Sequence, residues 1–397
     1  MTPALLSALS IVALAAAAQP ASLCTLCHPD ARVAFEQSIH SSEEVGCTSC
    51  HGGDPKASSV DAAHRGGFRG RIRRREVPAL CASCHADARA MGPYNLPTDQ
   101  YALYQTSVHG LRLAGGDEKV AVCTDCHGVH GILRSGDARS STHPAKIPET
   151  CARCHSDAAL MKPYGLSGDP YADFVAGRHG EALLERQNAS APGCGRCHGA
   201  HGATPPGVGD VNKVCGQCHF TARAHFLEGP HRAAMDEAGI PECASCHGNH
   251  KIVKADLNLL EAVCKTCHEP GSRQVELATQ MKTLYAAADA DVASAREVLA
   301  QAAAIPLYVE DYEARLEEAR TSLTEALPAM HSVNLEEIEQ LTGRARSIGQ
   351  EVESEIRGRL DSRRWRGVGL LFFWFYLIVT VAALIHYRRS AAREAGA

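Results

Sequence analysis

Cys123-Thr-Asp-Cys126-His127 places two thiols three residues apart and an imidazole directly after the second. The pattern recurs nine times. Its first cysteines are Cys24, Cys47, Cys81, Cys123, Cys151, Cys194, Cys215, Cys243 and Cys264; its second are Cys27, Cys50, Cys84, Cys126, Cys154, Cys197, Cys218, Cys246 and Cys267. The closing histidines are His28, His51, His85, His127, His155, His198, His219, His247 and His268. C-x-x-C-H is the attachment signature of c-type haem: the thiols add to two vinyl groups, and the histidine lies beneath the iron as proximal ligand.

Other cysteine chemistries fit poorly. A tetrahedral zinc site pairs two C-x-x-C motifs, whereas nine is odd and every second cysteine is followed by histidine. A disulfide framework has no use for that histidine. A thioredoxin-type motif occurs once, near a βαβ pattern. All 18 cysteines fall in the nine motifs, so the expected cofactor is nine covalently bound haem c.

The motifs sit in an internal repeat. One unit runs Val108-His109-Gly110, Cys123 to His127, Gly128-Val129-His130-Gly131, then Cys151 to His155. The next has His179, Cys194 to His198, His201, and Cys215 to His219; a third has His231, Cys243 to His247, His250, and Cys264 to His268. A looser first unit has His40, Cys47 to His51, His64, and Cys81 to His85. Each unit supplies two motifs and two further histidines, and the motif at Cys24 stands alone. A haem iron takes a sixth ligand opposite its proximal histidine. A histidine three places after a proximal one is too close in the chain to reach around its own haem, so it is expected to serve a neighbour. The repeat thus offers His40, His64, His109, His130, His179, His201, His231 and His250. For the ninth iron the order of expectation is His225, then His143, then His331 beside Met330.

The 245 residues from Cys24 to His268 leave about 27 per haem, too few to wrap each macrocycle separately. The expected fold is mostly α with extensive irregular structure: a haem-packed domain, a helical stalk and one C-terminal transmembrane helix. Aromatic residues are only 5%, as expected where macrocycles fill the core. The formal charge of −5 omits the haem propionates. Six arginines between Arg65 and Arg75 read as a solvated loop or as partners for propionates or an acidic protein; nucleic acid is not expected as a partner.

Residues 1–20, with the apolar run Ala4 to Ala18 and small residues Ala16-Ala17-Ala18, read as an export signal. The haem domain follows over 21–270. Residues 271–364 lack cysteine and are rich in Ala, Glu, Leu and Arg, predicting helices near 273–303, 309–327 and 335–364 with breaks at Pro306 and Pro328. This stalk reads mainly as a spacer. Residues 365–387 form the expected transmembrane helix, with Trp365 and Tyr387 as interface anchors, and 388–397 a cytoplasmic tail. His386 reads as an interfacial polar residue. The export signal puts the haem domain outside the inner membrane, in the periplasm.

The repeated C-x-x-C-H-G-x-H units over 24–268 resemble those of the multihaem c-type cytochromes. The resemblance implies periplasmic electron transfer through bis-histidine haems and a link to a quinol-oxidising membrane complex or another redox protein. Tetrahaem quinol dehydrogenases are similar in role but carry an N-terminal anchor. The expected function is a membrane-anchored nonahaem carrier, with no catalytic residue, between a quinol-linked partner and periplasmic acceptors, as in anaerobic respiration. A multihaem reductase of nitrogen or sulfur oxyanions is the alternative and needs one open iron.

Overall fold

The computed structural model describes residues 22–166, 168–202, 210–303 and 308–394. The expected export signal and Pro306 lie outside them. Among the described residues every regular element is helical, in agreement with the expected fold class. The chain divides into two compact units: residues through Val211 with His250–Ile252, and Asn212–Asn249 with the remainder from Val253.

The first unit is built from short helices. Five-residue helices hold the motifs at Cys47–His51, Cys123–His127 and Cys194–His198. Residues i, i+3 and i+4 of a helix share a face, so one turn presents both thiols and the imidazole together. The next residue is glycine each time, at φ +69°, +83° and +74° for Gly52, Gly128 and Gly199, a conformation that ends the helix and suits a residue without Cβ. The motifs at Cys81 and Cys151 instead finish nine-residue helices, Val77–His85 and Ile147–His155, each with proline in its first turn where the missing N–H costs nothing.

A second kind of helix start carries the extra histidines. Ser38 and Ser107 accept hydrogen bonds from the His40 and Gly110 amides, both at 3.1 Å, as N-caps. A Cβ on Gly110 would collide with the Tyr104 carbonyl, and one on Gly180 with that of Phe174. The glycine after His109 and His179 is therefore a close-approach residue. The Ile39 amide donates to the Ile132 carbonyl at 2.8 Å, and that of Arg178 to Ile252 at 2.9 Å. Each ties a helix start to the strip just past a G-x-H histidine.

The second unit continues from the short helix Phe220–Glu228 through Leu257–Cys264 into three long helices, Arg273–Ala303, Glu310–Ala329 and Leu335–Glu394. Ile338, Ala345, Val352 and Ile356 are all fully buried on the third, keeping the 3.5-residue period of a packed helix seam. Ala345, Val352 and Ile356 meet Ala288, Val292 and Ala295 of the first and Leu316, Ala319 and Leu323 of the second, while Ile338 meets Met281 of the first and Ala329 of the second. Gly349 lets the first and third helices cross closely, since a Cβ there would stand 3.1 Å from the Asp291 carbonyl carbon. The third helix does not stop near 364. It runs unbroken through 365–387, where Leu371 and Phe372 are each 72% exposed, because no Gly-Pro or capping signal interrupts it. By length and composition this helix can cross a membrane.

Candidate functional site

Among the described residues, eight histidine pairs face one another at nearly constant spacing. In the first unit His28 faces His64 at 6.4 Å between ring centroids, His40 faces His85 at 6.1 Å, and His51 faces His130 at 6.3 Å. His109 faces His155 at 6.2 Å, His127 faces His201 at 6.1 Å, and His198 faces His250 at 5.8 Å. In the second unit His231 faces His268 at 6.2 Å and His247 faces His331 at 6.1 Å. The planes range from parallel, 2° for His127 and His201, to tilted by 53° for His109 and His155. Metal–imidazole bonds of about 2.0 Å on both sides of an iron, plus about 1.1 Å from nitrogen to ring centre, put centroids about 6.2 Å apart. The donor set thus fits a six-coordinate iron between each pair.

The protonation states suit that role. Burial holds the pKa values of His40, His85, His109, His127, His130, His155, His198, His201, His231 and His247 below the ordinary imidazole value. At His40, His109, His127, His130, His198, His231 and His247 the facing ring adds to the effect. A neutral imidazole is the form that binds a metal. His51 Nδ1 lies 3.0 Å from the Gly70 carbonyl; donating there leaves Nε2 as the ligand nitrogen.

The pairs obey two rules. A unit's first histidine meets the second motif of the same unit: His40 with His85, His109 with His155, His231 with His268. The G-x-H histidine meets the first motif of the preceding unit: His130 with His51, His201 with His127, His250 with His198. His64, which is not in a G-x-H context, meets the isolated motif at His28 and stacks on Phe68 at 4.2 Å. His179 occupies the start of the Arg178–Gly180 helix, the same position that His109 holds in its unit.

The structure places the three candidates for the ninth iron differently from expectation. His225, expected first, sits on the Phe220–Glu228 helix with Nδ1 3.8 Å from the Glu337 carboxylate, and that nitrogen is buried without a hydrogen bond. The helix brings it to the start of Leu335–Glu394. His143 Nδ1 accepts the Ala145 amide at 3.3 Å, which puts its proton on Nε2, the nitrogen a ligand would use. His331, expected last because the second long helix is shorter than the first, is the one that meets a motif histidine.

Motifs adjacent in sequence are adjacent in space within each of the two compact units, across the boundaries between repeats as well as inside them. The Cys81 and Cys123 side chains neighbour one another, as do Cys151 with Cys194 and Cys215 with Cys243. Cys47 neighbours Cys24, Cys50 neighbours Cys84, Cys126 neighbours Cys154, and Cys246 neighbours both Cys264 and Cys267. Contacts therefore alternate between first and second cysteines. No disulfide joins the cysteines among the described residues, nor do three or more His, Cys, Asp or Glu side chains gather into a metal-holding cluster.

Charged residues brace this array. Arg74 forms a two-point ion pair with Asp125 at 2.6 and 3.0 Å and donates to the Glu118 and Val120 carbonyls, both at 2.8 Å. Asp125, inside the Cys123 motif, also accepts the Val122 amide at 2.7 Å. Arg74 is thus a structural clamp, unlike the solvated or propionate-binding residue expected of its run. In the second unit Glu242, directly before Cys243, is held by Arg223 and Lys213.

Comparison with known proteins agrees. A family model described as "Doubled CXXCH motif" matches residues 40–90. The "Multiheme cytochrome MtrA" of Shewanella baltica (strain OS185) is 27% identical over 137 residues, covering 34% of this chain and 32% of that protein. The match therefore spans about a third of the relative's length. No solved structure matches. These findings support a multihaem c-type cytochrome with covalently bound haem, and electron transfer as its class of activity.

Proposed function

We propose that this chain is a membrane-anchored, periplasmic nonahaem c-type cytochrome that carries electrons between a quinol-linked membrane partner and periplasmic acceptors. The observation that carries this reading is the set of eight facing histidine pairs. Haem iron held between two imidazoles supplies one-electron transfer and leaves no coordination position for substrate. The cysteines hold the motifs side by side in chain order, which sets the cofactor spacing within each unit. The paired histidines would keep water and small oxyanions from the metal, and burial favours the neutral, ligating form of ten of them. An oxyanion reductase needs an open position, and these pairs account for eight of the nine irons with two histidines each, which favours the carrier role.

Two features support the placement. The 365–387 segment can span a bilayer and exposes an apolar surface. Covalent haem attachment occurs on the exported side of bacterial membranes, consistent with an export signal over 1–20. The quinol-linked partner rests on the family resemblance.

The test uses the detergent-purified holoprotein. Intact mass is expected to show nine covalent haems, and added menaquinol with a membrane extract is expected to reduce them. A mass showing seven or fewer haems refutes the nonahaem count. Failure of any quinol to reduce the haems in the presence of membranes refutes the quinol link. A stoichiometric high-spin ferric signal in the unaltered protein would return the reductase reading.

A further inference from the structure

Seven of the eight described histidine pairs draw both members from the repeat or the isolated first motif; the eighth does not. The G-x-H rule explains why. His130 serves the motif of the unit before it, as do His201 and His250. The last unit has no unit after it, so the iron above His247 has no G-x-H histidine to receive. We propose that His331, in the turn between the second and third long helices, is the sixth ligand of that iron, making the helical bundle a part of the haem site. This inference rests on the reading of Cys243 to His247 as a covalent haem motif.

The geometry of the turn carries the assignment. The His331 and His247 rings stand 6.1 Å apart with 28° between their planes, within the range of the other pairs. His331 Nδ1 lies 3.0 Å from the Pro328 carbonyl, one of the carbonyls left over at a helix end. Donating there fixes the tautomer and turns the Nε2 lone pair outward, as outer-shell partners of metal-bound histidines do.

The backbone is held on both sides. Ser332 Oγ donates to the Ala329 carbonyl at 2.7 Å and lies 3.1 Å from the Glu337 carboxylate. Val333 adopts φ +53°, a left-handed conformation that a β-branched residue rarely takes, and such strain persists only where the surroundings impose it. Met330, 8% exposed, anchors the turn in a cluster with Met281, Ala329 and Ile338, against which Leu257 and Leu260 of the helix leading to Cys264 also pack.

The approach to the turn is built for closeness. Gly229, at the end of the Phe220–Glu228 helix, lies so near that a Cβ on it would stand 2.8 Å from the His331 carbonyl oxygen. The bundle is therefore not a plain spacer. Its turn sits in a haem pocket, and four residues past His331 begins the helix that runs unbroken to Glu394.

The experiment compares the full-length holoprotein with His331→Ala, His331→Met and His225→Ala by intact mass, electron paramagnetic resonance and cyanide titration. His331→Ala is expected to keep the full haem complement and to convert one haem to a high-spin ferric centre that binds cyanide and returns to low spin with added imidazole. His331→Met is expected to show one His–Met iron by its methionine–iron charge-transfer band. His225→Ala is expected to stay entirely low-spin. If the mass of the unaltered protein shows the Cys243 motif without haem, the covalent-haem reading fails at that motif and this proposal falls with it. If the haem is present and His331→Ala remains fully low-spin, the ligand assignment alone is overturned. Should the alanine variant not accumulate, His331→Met decides: a spectrum of His–His irons only overturns the assignment.

Discussion

Replacing Arg223 by alanine is expected to open the second unit locally around the Cys243 motif. Glu242 has a side chain only 6% exposed, and Arg223 approaches it at 3.2 Å through Nε and 3.4 Å through Nη2. Lys213 is the other cation, more distant at 3.9 Å and 46% exposed. Removing one partner of a buried ion pair costs about 3–5 kcal/mol, because the remaining charge is stranded. Here Arg223 is itself 29% exposed and Lys213 remains, which lowers the expected cost to about 2–3 kcal/mol. A chain of two units does not unfold as one step, so a global transition is the wrong probe. Amide hydrogen exchange reads local opening directly. Peptides covering 220–228 and 243–247 are expected to exchange about 30- to 140-fold faster, taking 1.4 kcal/mol per factor of ten. Adding Glu242→Gln should restore most of the protection, since it removes the stranded charge. Acceleration below about threefold, or a double variant no better protected than Arg223→Ala, would refute the claim that charge pairing holds this corner.

Gly110→Ala is expected to cost about 1–3 kcal/mol as an overpacked contact, because its Cβ meets the Tyr104 carbonyl; the displaced His109 should appear as one high-spin haem, whereas Ser107→Ala should lose about 1 kcal/mol of capping and keep the ligand. Tyr104 donates to the Ala121 carbonyl at 2.9 Å, and burial pushes its phenol up to about 12. The folded chain therefore keeps this proton while the unfolded chain loses it near about pH 10, so the contribution is whole below that pH and is lost as pH rises through 12; Tyr104→Phe should flatten stability against pH in that window. Ending the chain after Arg363 is expected to release a haem-loaded protein from the membrane fraction on cell breakage, and its retention there would refute the C-terminal anchor.

The attachment motifs were legible because covalent chemistry fixes residue type and spacing together: Cys47, Cys50 and His51 can be read without knowing what surrounds them. The long helices were legible for a related reason, as cysteine-free runs rich in Ala, Glu and Leu have few alternatives to a packed seam. The continuation of the third helix through 365–387 was missed because a change from charged to apolar composition resembles a boundary, although the backbone meets no residue that ends it. Arg74 was read with its arginine neighbours as part of a loop. Its partner Asp125 lies 51 residues on, inside a motif whose middle positions seem free to vary. The usable signal was the acidic residue at the third position of the Cys123–His127 helix, where it can cap the Val122 amide and still face outward.

The ninth ligand shows where local reading stops and repeat logic takes over. His225 was expected first and lies within the haem domain. Ligand choice in this protein follows a different variable, the offset between units. Each G-x-H histidine reaches back to the previous unit, so every array of this kind ends with one iron that its own repeat cannot close. Adding units moves that deficit along the chain and never removes it; only a residue from outside the repeat can cap the array. The turn at Met330–Ser332 has the properties a cap requires: a rigid backbone, an imidazole with its far nitrogen already committed, and a glycine-lined approach at Gly229. On this reasoning the histidine belongs to the turn's function and the helices exist partly to hold it. Shortening the second and third helices together by two heptads beyond His331 should then leave the His247 iron closed. Moving the histidine one residue back, to the place of Met330, should open it, because that position faces the Met281 and Ile338 cluster.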